Sequence, residues 1–235
     1  SISCILLGPG GTVSHDALRL LVNYGTGLLA VGEGGVRLYA SMPFGPDDST
    51  LARRQATLWG DVVERDRVAR HMYEWRFGES LPSTDIAVLR GVEGARMKEL
   101  YKVLAQKHGV SWRGRRYDRA QPTDADPPNQ AINHTATAVQ AAAMVAVAVT
   151  GTIPQLGFIH EESGRAFVLD IADLYRTTIT LPIAFKAVRM VREHPELSVD
   201  RAVRQLAREH FSGGKLIPTM IDRIKELFHD HRGDP

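Results

Sequence analysis

Cysteine is nearly absent, with Cys4 standing alone. One thiol cannot close an internal disulfide, which excludes a disulfide-stapled secreted scaffold and suits a reducing, cytoplasmic setting. An excess of one charge sign is also lacking, since 29 Lys/Arg meet 27 Asp/Glu for a formal net charge of +2. Bulk charge therefore names no partner, and the local distribution of charge has to decide. Long apolar runs are missing as well. The longest, ATAVQAAAMVAVAV at 136–149, is mostly alanine and small, and falls short of the ~20 residues that span a bilayer, so no membrane segment is expected. The opening SISCILLGPGG has neither an initiator Met nor a basic stretch, and its apolar run Ile5-Leu6-Leu7 is too short for the core of a signal peptide. It reads as a strand entered in mid-domain, with the start of that domain expected upstream. Internal repeats are not found. What remains is a globular composition, 43% apolar and 24% charged over 235 residues, enough for one large domain or two modest ones.

The pattern changes along the chain. ISCILLG predicts a strand, and SHDALRLLVNYG predicts a helix capped by Ser14 and closed by Gly25. GLLAVGEGGVRLYAS predicts two strands joined by a turn at Glu33-Gly34-Gly35. The glycines there do not form G-x-G-x-x-G, so a nucleotide-binding loop is disfavoured. Pro, Gly and Asp concentrate in MPFGPDDS (42–49). From there the spacing is helical: 50–77 with a soft break at Gly60, a helix from a Ser83 cap to Lys107, and a third over 129–150. Shorter helices are expected over 168–176, 181–194, 198–211 and 214–231. The expected fold class is α+β, with 1–45 the remainder of a β-rich N-terminal domain, 46–50 a linker and 51–235 a larger α-helical catalytic domain.

The stretch GFIHEESGRAFVLDIADLYR (157–176) sets polar groups among apolar ones. An unpaired carboxylate in a core costs several kcal/mol. Asp170 and Asp173 share a helix face at i, i+3, and a turn at Ser163-Gly164 can return His160 to the start of that helix. Two carboxylates and an imidazole suit magnesium or manganese. Solvated helix-start carboxylates beside a surface histidine fit the same spacing. A third carboxylate, Glu93, sits between Gly91 and Gly94 in LRGVEGARMKELY (89–101). Two glycines within a helix imply close approach of a ligand or of another backbone, and a Glu93 turned to solvent remains the alternative. Residues 96–119 then gather eight Lys/Arg against two acids, with Tyr101, Trp112 and Tyr117 interleaved. Such a segment can neutralise phosphates and stack bases, or it can be a solvated face over core aromatics. Arg201, Arg204 and Arg208 add positive charge on one later helix face.

In this order the pieces resemble the CRISPR adaptation integrase, the DNA-inserting subunit of spacer acquisition, in its type I-E form. The likeness lies in PGGTVSHDALRLLVNYGTGLLAVGEGGVRLYAS, RHMYEWRFGE, LRGVEGARMKELY, KHGVSWRGRRYD, NQAIN and GFIHEESGRAFVLDIADLYR. The resemblance implies a β-rich domain followed by a helical catalytic domain. It implies Mg2+ or Mn2+ held by Glu93, His160 and Asp173, with Asp170 in the same acidic catalytic site. It further implies homodimers flanking a smaller ferredoxin-like acquisition subunit, and as substrates double-stranded DNA with single-stranded 3′ ends together with CRISPR repeat DNA. Arg19 and Arg37 match positions that hold the DNA backbone, and Tyr117 matches a pocket for the adjacent-motif end. The basic run adds Arg113, Arg115 and Arg116 as DNA contacts. Departures are Thr12 where an Arg is frequent, Gln140 where a relative carries Tyr, and EESG after His160 where a basic residue is common.

The reaction implied is attack of a DNA 3′-hydroxyl on a phosphodiester of the repeat. Hydrolysis with water as nucleophile, and a non-catalytic DNA-binding scaffold with a vestigial acidic cluster, remain open on the sequence.

Overall fold

The computed structural model describes residues 2, 4–41, 49–79, 85–116, 125–213 and 215–229. Ser83, Tyr117 and residues 46–48 of the expected linker lie outside them.

The chain opens with strand β1 (Cys4–Leu7), helix α1 (His15–Asn23) and strand β2 (Gly27–Val31). Ser14 starts α1 as expected, its Oγ accepting from the Ala17 amide at 3.2 Å. β2 lies parallel to β1, a pairing that needs a crossover, and α1 is that crossover. Gly34 and Gly35, at φ 65° and 74°, turn the chain so that β3 (Leu38–Ser41) returns antiparallel to β2. The sheet order is β1-β2-β3. Alternation alone predicted the strands but not the parallel pair.

Helices follow. α2 (Thr50–Gly60) and α3 (Val62–Phe77) are separate helices, not one softly broken. Asp61 re-caps the chain, accepting from the Val63 and Glu64 amides at 2.9 and 3.1 Å. α4 (Ile86–His108) starts on Asp85, which accepts from Ala87 at 2.7 Å, so the cap is not Ser83. α5 (Pro127–Thr150) is capped by Asp126 and takes both prolines into its first turn, where their missing N–H groups leave no bond unmade. α6 (Ala166–Asp173), a π-helical turn over Arg176–Thr180, α7 (Leu181–Glu193), α8 (Val199–Ser212) and α9 (Leu216–Phe228) complete the order. The architecture is α+β, a small sheet followed by a helical body.

α5 is the axis of that body, packing against α6, α7, α8 and α9. Ala131, Ala143 and Ala146 on it are fully buried, and such small side chains let several helices approach one another closely. At 24 residues α5 is long and apolar enough by length and composition to cross a bilayer, more than the 14-residue run suggested. Its apolarity has another cause, because it is a core helix with 56% of its most apolar stretch inside the fold.

The segment joining α5 to α6 is pinned from α2. Gln55, with no exposed surface, donates through Nε2 to the carbonyls of Ile153 and Leu156, each at 2.9 Å. Its Oε1 accepts from the Ile153 amide at 2.7 Å. Trp59 Nε1 donates to the Gly157 carbonyl at 2.9 Å. A Cβ on Gly157 would stand 2.2 Å from the His160 carbonyl, so only glycine lets the chain fold back here. Gln55→Leu leaves one amide and two carbonyls without their partner. Each buried unpaired group costs about 1–3 kcal/mol, so a loss of about 2–5 kcal/mol in denaturant unfolding is expected after partial relaxation.

Candidate functional site

Asp170 on α6 is fully buried, and its carboxylate is saturated. Oδ2 accepts from the amides of Phe158 and Ile159 at 2.6 and 3.1 Å, and Oδ1 from the His160 amide at 3.0 Å. Oδ1 also meets His160 Nδ1 at 2.7 Å. An ionised carboxylate can only accept, so Nδ1 carries the hydrogen and Nε2 is left facing Asp173 Oδ2 at 3.9 Å. The hydrogen bond to Asp170 raises the His160 pKa above its ordinary 6.5; burial opposes this and the charges of Asp170 and Asp173 reinforce it. The turn at Ser163 that returns the chain to α6 is present, with Ala166 donating to the Ser163 carbonyl at 3.0 Å. Arg90 of α4 fixes the same loop through the Ile159 carbonyl at 2.9 Å.

Glu93 reaches the same place from α4. Between it and Asp173 stands Arg76 of α3, whose Nη2 donates to Glu93 Oε1 and to Asp173 Oδ2, the latter at 3.2 Å. The Arg76 side chain is only 7% exposed, and its guanidinium lies 5.5 Å from the Tyr73 ring centroid. Burial pushes the Glu93 pKa up, with Asp173 adding to the rise and Arg76 opposing it. Arg176, in the π-helical turn, donates to Asp173 Oδ1 at 3.3 Å and to the Tyr101 hydroxyl at 3.1 Å. Burial works against its charge, but Asp173 and Tyr101 outweigh that and hold its pKa above the ordinary value.

Two clefts meet at Asp173 and Arg176. One, of about 250 Å³, is lined by Arg76, Glu93, Arg96 and Thr177 among others. The second, of about 580 Å³, carries Arg115, Arg165, Asn133 and Gln140. The glycines flanking Glu93 have no neighbour within 4 Å of an added Cβ, so they leave open helix surface instead of packing against another backbone.

The structure thus gathers Glu93, His160 and Asp173, and places Asp170 behind His160 with its oxygens turned to the loop amides. The basic residues go to several places. Arg115 is drawn onto α5, donating to Asn129 and Asn133 Oδ1 at 2.8 and 2.6 Å, at the wall of the larger cleft. Arg113 and Arg116 line a separate groove of about 690 Å³ beside Arg192. Arg19 is exposed on α1 near Asp16 at 3.3 Å. Arg37 binds Asp200 at 3.0 Å, tying the sheet to α8. Tyr117 lies outside the described residues. Tyr101 and Trp112 stack on each other at 4.9 Å, with Trp112 edge-on to Phe185, so these two are core aromatics and not base platforms. Arg204 and Arg208 are matched by Asp200 at 2.8 Å and Glu33 at 2.7 Å, which makes them ties within the fold more than free positive surface.

Arg76, Arg176 and Gln55 were not singled out from the sequence. Arg176 had a readable signal, the i, i+3 spacing from Asp173. Arg76 and Gln55 had none, because a lone polar residue in an amphipathic helix reads as solvated.

The donor chemistry here, two carboxylates and an imidazole with Nε2 turned inward, fits a hard divalent cation. Among the described residues no three such side chains close around a common ion position, since the Arg76 guanidinium stands between Glu93 and Asp173.

The sequence profile of the family described as CRISPR associated protein Cas1 matches residues 75–196, a span that holds Arg76, Glu93, His160, Asp170 and Asp173. The chain is 40% identical over 228 residues to the CRISPR-associated endonuclease Cas1 of Clostridium sp. SY8519, covering 97% of this chain and 75% of that one. With the CRISPR-associated endonuclease Cas1 of Escherichia coli K12 it shares 39% over 223 residues, 94% of this chain and 73% of that one. The TtCas1–DNA complex superposes with a TM-score of 0.87 at 36% identity, over 97% of this chain and 84% of that one. A casposase bound to its integration product shares the fold at a TM-score of 0.66 and 15% identity, over 97% of this chain and 83% of that one. A matched profile spanning Arg76, Glu93, His160, Asp170 and Asp173, and relatives near 40% identity along almost the whole of this chain, make it a member of the Cas1 family.

Proposed function

We propose that this chain is the DNA-joining enzyme of CRISPR spacer acquisition, in its type I-E form, acting in the cytoplasm with Mg2+ or Mn2+. The observation that carries the reading is the convergence of Glu93, Asp173 and the Nε2 side of His160 from three separate parts of a Cas1-family chain. A relative at 36% identity was solved as a DNA complex, which supports DNA as the substrate. The remaining features belong to the same proposal: residues 1–45 as part of a β-rich domain, 51–235 as the catalytic domain, a homodimer, a smaller ferredoxin-like subunit, and repeat DNA as target.

In the reaction the oxygen of an incoming 3′-hydroxyl forms a bond to a repeat phosphorus. The attacking hydroxyl gives up its proton to solvent, and the bond from that phosphorus to the repeat's own 3′ oxygen breaks. The departing oxygen keeps the electron pair and takes up a proton from solvent, so the step is proton-neutral. One phosphodiester replaces another, so catalysis is mainly positioning and charge stabilisation. A divalent ion, when bound, lowers the hydroxyl's pKa and offsets charge gathering on the phosphate. Glu93, His160 and Asp173 would hold it. Asp170 acts through His160 as a positioning residue, fixing ring orientation and keeping the proton on Nδ1. Arg115 and Arg165, on the wall of the larger cleft, offer cationic groups to the DNA backbone beside Asp173, and Arg19, Arg113, Arg116 and Tyr117 extend that contact. The relatives are named CRISPR-associated endonucleases, which favours a second reading, hydrolysis at the same residues.

A labelled prespacer with repeat DNA separates the two, because joining lengthens the labelled strand and hydrolysis shortens it. Joined product is expected, and Glu93→Ala should reduce it by about 10²-fold or more; product at the wild-type level removes Glu93 from the mechanism. A protonated imidazole cannot act as a ligand, so joining should fall as the pH drops and His160 takes up a proton. More divalent ion should carry that acid limb to lower pH, because ion and proton compete for Nε2. Asp170→Asn weakens the hydrogen bond and removes the charge that raise the His160 pKa, so the limb should move to lower pH while the rate plateau falls about 10–100-fold. A limb unmoved by Asp170→Asn contradicts the assignment to His160.

A further inference from the structure

Arg76 is an unusual neighbour for a proposed metal site. It is a permanent cation, 7% exposed, and one of its nitrogens serves both Glu93 and Asp173. A buried guanidinium persists only where carboxylates offset its lost hydration, and two carboxylates this close repel unless a cation lies between them. Each therefore holds the other in place. Glu93 and Asp173, with Arg76 and Arg176 beside them, make a site that is near neutral without any added ion. A divalent ion needs the oxygens that Arg76 now occupies, and a guanidinium held against a doubly charged ion is repelled strongly in so dry a place.

The released side chain has limited choices. The small cleft it lines also carries Arg96 and Arg176. With Glu93 and Asp173 engaged elsewhere, Arg76 and Arg176 lose their anions, while Arg96 keeps its pair with Glu79 beside them. A phosphodiester oxygen is the anion that a planar, forked guanidinium fits best.

On the metal-site reading given above, we propose that Arg76 is the resident counter-cation of Glu93 and Asp173, that a divalent ion displaces it, and that the displaced guanidinium then takes a phosphate of the bound DNA. Two consequences follow. The DNA-free protein binds the ion weakly, because Arg76 competes for the same oxygens. DNA tightens ion binding, because it supplies a new partner for Arg76, and the ion tightens DNA binding by the same factor.

The test is a titration with Mn2+ alone, free ion being read by its electron paramagnetic resonance signal, on the full chain with and without a duplex bearing single-stranded 3′ ends. Wild type should bind Mn2+ about tenfold tighter with DNA present. Arg76→Met should bind it about tenfold tighter than wild type in the absence of DNA, and DNA should add less than about twofold. Thermal melting in EDTA should place Arg76→Met below wild type, with Mn2+ closing the gap. Should Arg76→Met fail to fold, Arg76→Lys makes the same comparison. Its ammonium lacks the fork, so Mn2+ should bind severalfold tighter than in wild type. Either variant binding Mn2+ no tighter than wild type, or keeping the full DNA effect, overturns the proposal. If wild type binds Mn2+ and Glu93→Ala abolishes it, such a failure falls on Arg76 alone. If wild type shows no Mn2+ binding even with DNA, the metal-site reading fails too.

Discussion

Asp170 has no access to water, so every hydrogen bond its carboxylate makes has to come from the protein. It finds four: three successive backbone amides, Phe158 to His160, and the His160 ring. Satisfying one buried charge therefore folds a loop onto α6 and sets the angle of an imidazole. Breaking such an arrangement by removing a single partner typically costs about 3–5 kcal/mol, so the loop is firmly held. The rest of the fold works to the same end. Gln55 and Trp59 of α2 hold the near side of the loop, Arg90 of α4 holds its middle, and Gly157 allows the sharp return.

What the rigid loop presents is a site that is charged in its parts and nearly neutral in sum. Glu93 and Asp173 come from α4 and α6, Arg76 from α3, and Arg176 from the π-helical turn that follows α6. π-helical turns are rare and recur at functional sites, because the extra residue re-aims the side chains around it. Here the turn brings Arg176 between Asp173 and the Tyr101 hydroxyl. A neutral site is stable before substrate arrives. On the proposed metal-site reading, two added positive charges would make it attractive to a phosphate backbone, so ion and DNA would each favour the binding of the other.

The legible part of this structure was local. Ser14 capped α1, the apolar periods gave α3 to α9 to within a few residues, and the Glu33-Gly34-Gly35 turn joined two strands. The spacing of Asp170 and Asp173 gave a shared helix, but not that one faces a loop and the other a cleft, since a difference of three residues fixes a face and not its surroundings. The basic run from Arg96 to Arg119 left two readings, a nucleic-acid surface or a solvated face over core aromatics, and the sequence could not say which residues face inward. Folding sends Tyr101 and Trp112 into the core and sets Arg115 against α5. Arg76 was invisible for a related reason. Its meaning comes from partners 17 and 97 residues away, and nothing in its own neighbourhood marks a buried arginine.

On the proposed reading, Glu93, His160 and Asp173 share a single cation position. Anomalous scattering at the manganese edge, from crystals grown with Mn2+ and DNA, tests it most directly. One strong peak is expected within direct coordination distance of all three side chains, with the Arg76 guanidinium turned away toward a phosphate. A peak bound elsewhere, or Arg76 still bridging Glu93 and Asp173 beside a fully occupied ion, would contradict it.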